Sequence, residues 1–160
     1  MLRAAELADI AFIRGLAGRP DNAPFLTDED ETALAAYLTD PKAKVLIWGK
    51  GAARGFAIFT GVGSLSRTVC LMRLALDEPG RGEGRAFIAA LIDHGFCDLN
   101  ARKLWLDTSG ENLRAQRVYA RAGFVLEGRL RQHDHVRRIG RVVDTLLYGM
   151  LRDEWAVLPR

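Results

Sequence analysis

Apolar residues near the start of the chain recur at Leu7, Ile10, Ala11, Ile13 and Leu16, which predicts a helix over residues 6–18 ending at Gly18-Arg19-Pro20. Thr27 reads as the N-cap of a second helix, with Asp28, Glu29 and Asp30 in its first turn and Leu34, Tyr37 and Leu38 as its stripe, until Asp40-Pro41 ends it. The period then shortens. Ala43–Trp48, Gly55–Thr60 and Thr68–Leu76 read as strands, and the turns Gly49-Lys50-Gly51 and Gly61-Val62-Gly63-Ser64 between them predict antiparallel pairing. A helix is predicted from about Gly82 to Phe96, with Phe87, Ile88, Leu91 and Ile92 on one side, followed by a short buried strand over Lys103–Asp107. Ala115, Val118, Tyr119 and Ala122 stand at i, i+3, i+4 and i+7 of a helix over Asn112–Ala122 that Gly123 stops. Phe124–Arg131 and Arg141–Leu151 close the set as two strands. If the first few residues also pair, the order is β-helix-helix-β-β-β-α-β-α-β-β. That order predicts an α/β (α+β) domain with a mixed, mostly antiparallel sheet.

Composition narrows the setting. At 160 residues the chain fits one domain, 1–160, and 49% hydrophobic with 27% charged residues is ordinary for a globular chain. No apolar run reaches the roughly 18 residues of a membrane span. Glu6 and Asp9 interrupt the N-terminal apolar stretch, so it makes a poor signal peptide and the cytoplasm is the expected compartment. Cys70 and Cys97 lie in separate apolar stretches and read as small core residues rather than a disulfide framework. The net charge of +3 conceals a polarity: arginines crowd the stretch from Arg81 to Arg141, while acids collect in the first forty residues. An anionic ligand held by the second half would explain this, although any single arginine reads equally well as part of a solvated face. No basic run with interleaved aromatics points to nucleic acid.

The strand ending at Leu76 runs through Asp77-Glu78-Pro79 into Gly80-Arg81-Gly82-Glu83-Gly84-Arg85-Ala86, where a helix begins. Such a turn lets backbone N–H groups converge on an anion at the positive end of the helix dipole. It is neither a Walker loop, which needs Gly-Lys-Ser/Thr, nor a dinucleotide fingerprint, whose glycine spacing differs. Taken alone it is a place for a phosphate or a plain glycine-rich loop. His133 and His135 flank Asp134 on one face of a strand but no third metal ligand is spaced to join them, so a solvated loop lining a cleft is expected there and no metal. His94 reads as a helix C-terminal residue satisfied by the dipole.

Read as Arg-x-x-Gly-x-Ala (Arg81, Gly84, Ala86), the turn resembles the signature of the GNAT superfamily of N-acetyltransferases. Thirty residues on, Asn112, Ala115, Tyr119, Gly123 and Phe124 match the family's second motif, Asn-x-x-Ala-x-x-x-Tyr-x-x-x-Gly-Phe. Val125–Arg131 and Asp144–Trp155 are similar to the branch that acetylates N-termini of ribosomal proteins. The likeness covers about residues 53–155. It implies a sheet of six or seven strands with helices on both faces and two central strands splayed apart. It further implies acetyl-CoA as donor, held by Gly82, Glu83, Gly84, Arg85 and Ala86 with Arg81 adjoining. The main chain from Arg73 through Leu74 and Ala75 to Leu76, and Asn112 and Ala115 on the other arm, would take the pantetheine. One N–H of the Arg73–Leu76 stretch would act as an oxyanion hole.

Tyr119 falls at the family's general-acid position, although periodicity alone would make it a core aromatic. A phenol of pKa about 10 gives its proton to a thiolate of about 8.5 only uphill, by roughly 2 kcal/mol, so a hydrogen bond to the departing sulfur is the expected role. Where many relatives carry a carboxylate on the strand before the turn, this chain has Arg73. Asp107 and Glu127 are the remaining candidates for a base, each equally able to bond a helix N-terminus or an arginine. An α-amine is neutral on the order of a tenth of the time at pH 7, a lysine amine under a thousandth, which favours weakly basic acceptors. The main expectation is transfer to a primary amine such as a protein N-terminus, by a monomer or homodimer. The alternatives are a small-molecule acetyltransferase (antibiotic, polyamine or amino acid) and a non-catalytic acyl-CoA sensor.

Overall fold

Val45, Ile47, Phe56, Ile58 and Ala75 pack on one side of a sheet against Ile10, Ile13 and Leu16, while Leu46, Ala57, Phe59 and Leu71 pack on the other against Phe87, Leu91 and Phe96. Period-2 alternation over these strands therefore feeds two cores, one per face, and each core needs a helical layer to cover it. A computed structural model describes residues 1–27, 29–77, 82–136 and 139–159. Its strands are β1 (Leu2–Ala4), β2 (Ala43–Trp48), β3 (Gly55–Thr60), β4 (Thr68–Leu76), β5 (Lys103–Ser109), β6 (Val125–Val136) and β7 (Arg141–Leu151). They form one seven-stranded sheet in the order β1-β2-β3-β4-β5-β7-β6, with every neighbouring pair antiparallel except β4 and β5. Helices α1 (Ile10–Ala17) and α2 (Glu31–Thr39) cover one face; α3 (Glu83–Asp93) and α4 (Leu113–Arg121) cover the other, and α5 (Arg152–Ala156) follows the last strand. Among the described residues no helix is long and apolar enough to cross a membrane.

Several boundaries depart from the sequence expectation, each for a local reason. The first helix is shorter, because Leu7–Asp9 form a 3₁₀ turn before α1. Asp30, not Thr27, caps α2: its carboxylate accepts from the Ala33 N–H at 2.8 Å, and the Thr27 hydroxyl is bonded elsewhere. A carboxylate outcompetes a hydroxyl as an acceptor for an orphan helix N–H. α3 stops at Asp93 and continues as a π-helical turn over His94–Asp98, in which His94 Nδ1 meets Asp98 Oδ2 at 2.6 Å. That turn leaves Cys97 exposed, contrary to the expected core position, while Cys70 is buried and its thiol is pushed up to about 12. The stretch His133–His135, expected as a loop, is part of β6.

Candidate active site

β4 and β5 start side by side and then part. Thr68, Val69 and Cys70 pair with Lys103, Leu104 and Trp105, and beyond them β4 has no strand partner on its β5 side among the described residues. The parting begins at a β-bulge, where Ile58 opposes Arg73 but Phe59 opposes Leu71, leaving Met72 as the extra residue. A bulge bends its strand and raises the local twist, which turns the rest of β4 away from β5. A cavity of about 940 Å³ opens along the gap, lined on one side by Leu71–Leu76 and on the other by Asp107, Thr108 and Ser109. Such a volume lies at the upper end of ordinary ligand pockets.

Of the residues expected at the cofactor, Arg73, Leu74, Ala75, Leu76, Gly84, Asn112, Ala115 and Tyr119 line this cavity. Gly82 opens α3 with a φ of +85°, which a side chain would strain. Gly84 needs no special backbone, yet a Cβ added there meets nothing within 4 Å. Its bareness leaves room in the cavity rather than room for the protein. Glu83 turns its carboxylate back to Trp48 Nε1 (3.4 Å) and Arg54 (4.0 Å), which keeps a negative charge off the mouth of the turn. Arg85 and Ala86 are exposed and do not line the cavity, and Arg81 lies outside the described residues. Asn112 caps α4 by accepting from Ala115 N–H at 3.1 Å, so its amide NH₂ is the group left for a ligand.

The candidate acid and base stand apart in character. Tyr119 is 7% exposed, packed on Phe124 and Tyr148, and no described residue accepts or donates a hydrogen bond at its hydroxyl. Burial first, then the Asp107 charge, push its phenol above the ordinary value. Asp107 is open to solvent through the cavity, yet the walls strip enough water to raise its carboxyl; Arg73 opposes that, Asp134 adds to it and His133 opposes it. Glu127 does not reach the cavity. Its carboxylate lies over Gly149 and pairs with Lys103 at 2.6 Å, so geometry gives it a structural tie rather than a place beside the reacting atoms.

Arg73 points to the α1 and α2 side. It donates to Thr27 Oγ1 at 3.1 Å and lies 3.7 Å from Glu29, while Arg19 pairs with Asp77 at the end of the same strand. These ties hold the connection between α1 and α2 against β4, and its residues Asp21–Thr27 form a cavity wall. The sequence pattern did not single out that wall, and it read Val118 as part of a helix stripe and Arg114 as one of many arginines rather than as cavity neighbours of Tyr119. A loop without periodicity has no signal until its strand partner is placed, whereas Arg114 could have been found as the residue one turn before Val118.

The profile of the acetyltransferase (GNAT) family matches residues 9–124. The chain belongs to this family. A spermidine N(1)-acetyltransferase of Vibrio cholerae is 37% identical over 57 residues, which are 36% of this chain and 33% of that protein. An uncharacterised N-acetyltransferase of Mycobacterium bovis is 36% identical over 98 residues, 59% of this chain and 60% of that one. This GNAT chain thus spans between a third and three fifths of the length of those curated relatives. Among solved structures, spermidine N-acetyltransferase from Vibrio cholerae in complex with CoA and spermine superposes with a TM-score of 0.85 at 22% identity, over 98% of this chain and 97% of that one. The dodecameric form of that enzyme gives 0.82 at 22% identity, over 98% and 96%. These structural likenesses establish the shared GNAT fold, including the seven-stranded sheet and its helices. The relatives named are polyamine and uncharacterised acetyltransferases, so family membership stands and the ribosomal-protein branch does not follow from them.

Proposed function

We propose that this GNAT protein moves an acetyl group from acetyl-CoA to a primary amine, and that the amine belongs to a small polycation of the polyamine class. The observation that carries the transferase reading is the unpartnered main chain of β4 along the cavity, a sheet edge that an extended pantetheine arm can complete. The pyrophosphate would lie at the bare opening of α3, and the freed NH₂ of Asn112 would hold the arm from the other side. A β4 N–H would polarise the thioester carbonyl as the amine nitrogen attacks it. The C–S bond breaks, the thiolate leaves beside the Tyr119 hydroxyl, and the proton lost by nitrogen passes to Asp107 directly or through water. With its phenol raised, Tyr119 stays protonated and serves as a hydrogen-bond donor to sulfur. Asp107, with its carboxyl raised, is a stronger base than an ordinary aspartate.

The acceptor class rests on charge. Asp21, Asp107 and Asp134 line the cavity away from α3, and Arg73 beside them is paired with Glu29. A basic amine loses part of its preference for the charged form as it leaves water, and a raised Asp107 narrows the remaining gap in proton affinity. The named polyamine enzymes support the same class. Free-thiol release from acetyl-CoA is the deciding measurement, with spermidine and a short peptide bearing a free N-terminus as acceptors. Turnover of spermidine with the peptide inert supports this reading. Turnover of the peptide alone would replace it with protein N-terminal acetylation, and acetyl-CoA binding without any turnover would make the chain a sensor.

A further inference from the structure

β6 leaves regular register twice, and the second departure is large. Leu130 opposes Thr145 and Asp134 opposes Val143, so Arg131, Gln132 and His133 stand against one residue of β7, Asp144. Gln132 takes a φ of +49° to make the turn. A non-glycine residue held there needs compensating contacts. Asp144 supplies them: one carboxylate oxygen accepts from the Gln132 N–H at 2.8 Å and the other from Arg129 Nη1 at 3.1 Å. Its main-chain carbonyl also accepts from the Gly110 N–H at 2.7 Å, at the turn that leads to Asn112 and α4. The strand emerging from this excursion carries Asp134, His135 and Val136, all of which line the cavity. Asp134 is steadied by the Thr145 hydroxyl, which donates to one of its oxygens and leaves the other free. In the same cavity stands Tyr119, a residue 7% exposed whose hydroxyl has no bonding partner among the described residues, which marks where a ligand's reacting end belongs.

We infer that Asp144 is a positioning residue for acceptor selection: by folding the three-against-one bulge of β6 it sets Asp134 in the same cavity as Asp107, across β7, as the second carboxylate for an acceptor with two ammonium groups. The inference rests on the transferase reading and deepens it. One ammonium group approaches Asp107 and the thioester, and the second is held by Asp134 on the far side of β7. A monoamine of the same chain length uses only the first. Asp134 therefore governs the choice between acceptors without touching the donor, and Asp144 acts only through it.

The test compares 1,4-diaminobutane with 1-aminobutane as acceptors, reading kcat and KM by thiol release, in the wild type and in Asp134→Asn, Asp144→Ala, Asp144→Asn and Gln132→Pro. Asp134→Asn is expected to raise KM for the diamine about five- to tenfold while leaving KM for the monoamine and for acetyl-CoA within about twofold; any change in kcat through its smaller influence on Asp107 should be equal for both amines. Asp144→Ala should copy that pattern, and the double variant with Asp134→Asn should lose no more than either alone, because the two act as one unit. Gln132→Pro removes the N–H that Asp144 accepts and, with φ locked at about −65°, also cannot hold the +49° of the excursion, so it should copy the pattern too; Asp134→Asn keeps the idea testable if neither bulge variant folds. Asp144→Asn retains one acceptor oxygen for Gln132 and should keep most of the selectivity. An unchanged diamine-to-monoamine ratio in Asp134→Asn, or in both Asp144→Ala and Gln132→Pro, overturns the inference. So does a fall in kcat for both amines together with weaker acetyl-CoA use, which would mean a purely structural role. A wild type that uses both amines equally overturns it while leaving the transferase reading intact; a wild type that acetylates no amine removes both.

Discussion

Two side chains carry most of the chemistry proposed for this site, and burial acts on both in the same direction by disfavouring the anion, with different consequences for each. Tyr119 gains reluctance to ionise, so its value lies in donating a hydrogen bond. Tyr119→Phe should lower kcat at least tenfold, in line with the loss of one transition-state donor, and leave acetyl-CoA affinity nearly intact. The ring contacts with Phe124 and Tyr148 survive in that variant, so its melting temperature should match the wild type. Asp107 gains basicity, and the acid limb of kcat/KM should fall above the ordinary aspartate range. The sign for stability is the reverse of the usual one. A carboxyl raised in the folded state binds more protons there than in the unfolded chain, so stability declines as pH climbs from the unfolded value, 3.8, through the folded one. Asp107→Asn should therefore melt higher than the wild type at pH 7, with the difference vanishing near pH 3, while its turnover collapses. Equal melting at both values would show that Asp107 carries no folding cost.

At the scale of elements, what the sequence made legible follows from periodicity. β2, β3 and β7 appear with the bounds their patterns predict, and α4 begins where Asn112 and Ala115 say it should. Less legible were places where two elements share a decision. Whether Thr27 or Asp30 starts α2 depends on Arg73, forty-odd residues away, which takes the Thr27 hydroxyl for itself. The length of β6 depends on Asp144, whose carboxylate carries the strand through an excursion that reads as a loop in the one-dimensional pattern. Glu127 read as a candidate base or an acid for a helix N-terminus or an arginine, and only the folded sheet reveals Lys103 as its partner. The proposed donor half has a motif spacing to read because one turn and one helix would hold it. The acceptor half is assembled from α1–α2, β5 and β6 and has no contiguous signature. Gly84 tests the donor half: Gly84→Glu should fold normally, since a Cβ there meets no protein atom, yet it should weaken acetyl-CoA binding at least tenfold in a calorimetric titration. Unaltered binding would show that the opening of α3 holds no phosphate.

Over the whole molecule, the sheet is two blocks of strands joined at one narrow seam. β2 to β4 rest on α1 and α2 with one face, while on the other face Leu46, Phe59 and Leu71 share a core with Leu104 and Leu106 of β5 and Leu146, Tyr148 and Met150 of β7. A donor lodged between the blocks binds only the assembled state, so it should stabilise the fold as a unit. At a hundred times its dissociation constant, acetyl-CoA should add about 2.7 kcal/mol, or about 5–11 °C in melting temperature for a chain of this size. A single sharp transition that shifts as one, by calorimetry, is the expected result. Two transitions of which only one moves would show that the blocks melt separately.

The three residue pairs that hold β4 to β5 also imply something about time. Beyond Cys70, the N–H groups on the open side of β4 have no strand to exchange with except water, and they should trade their hydrogens for deuterium far faster than those facing β3. An arriving pantetheine would fill the role of a missing strand, closing the ladder from Leu71 to Leu76 one amide at a time. Deuterium uptake there should slow sharply with acetyl-CoA and stay unchanged in β2, so that the cofactor would be written into the protein's exchange pattern as an eighth, borrowed strand.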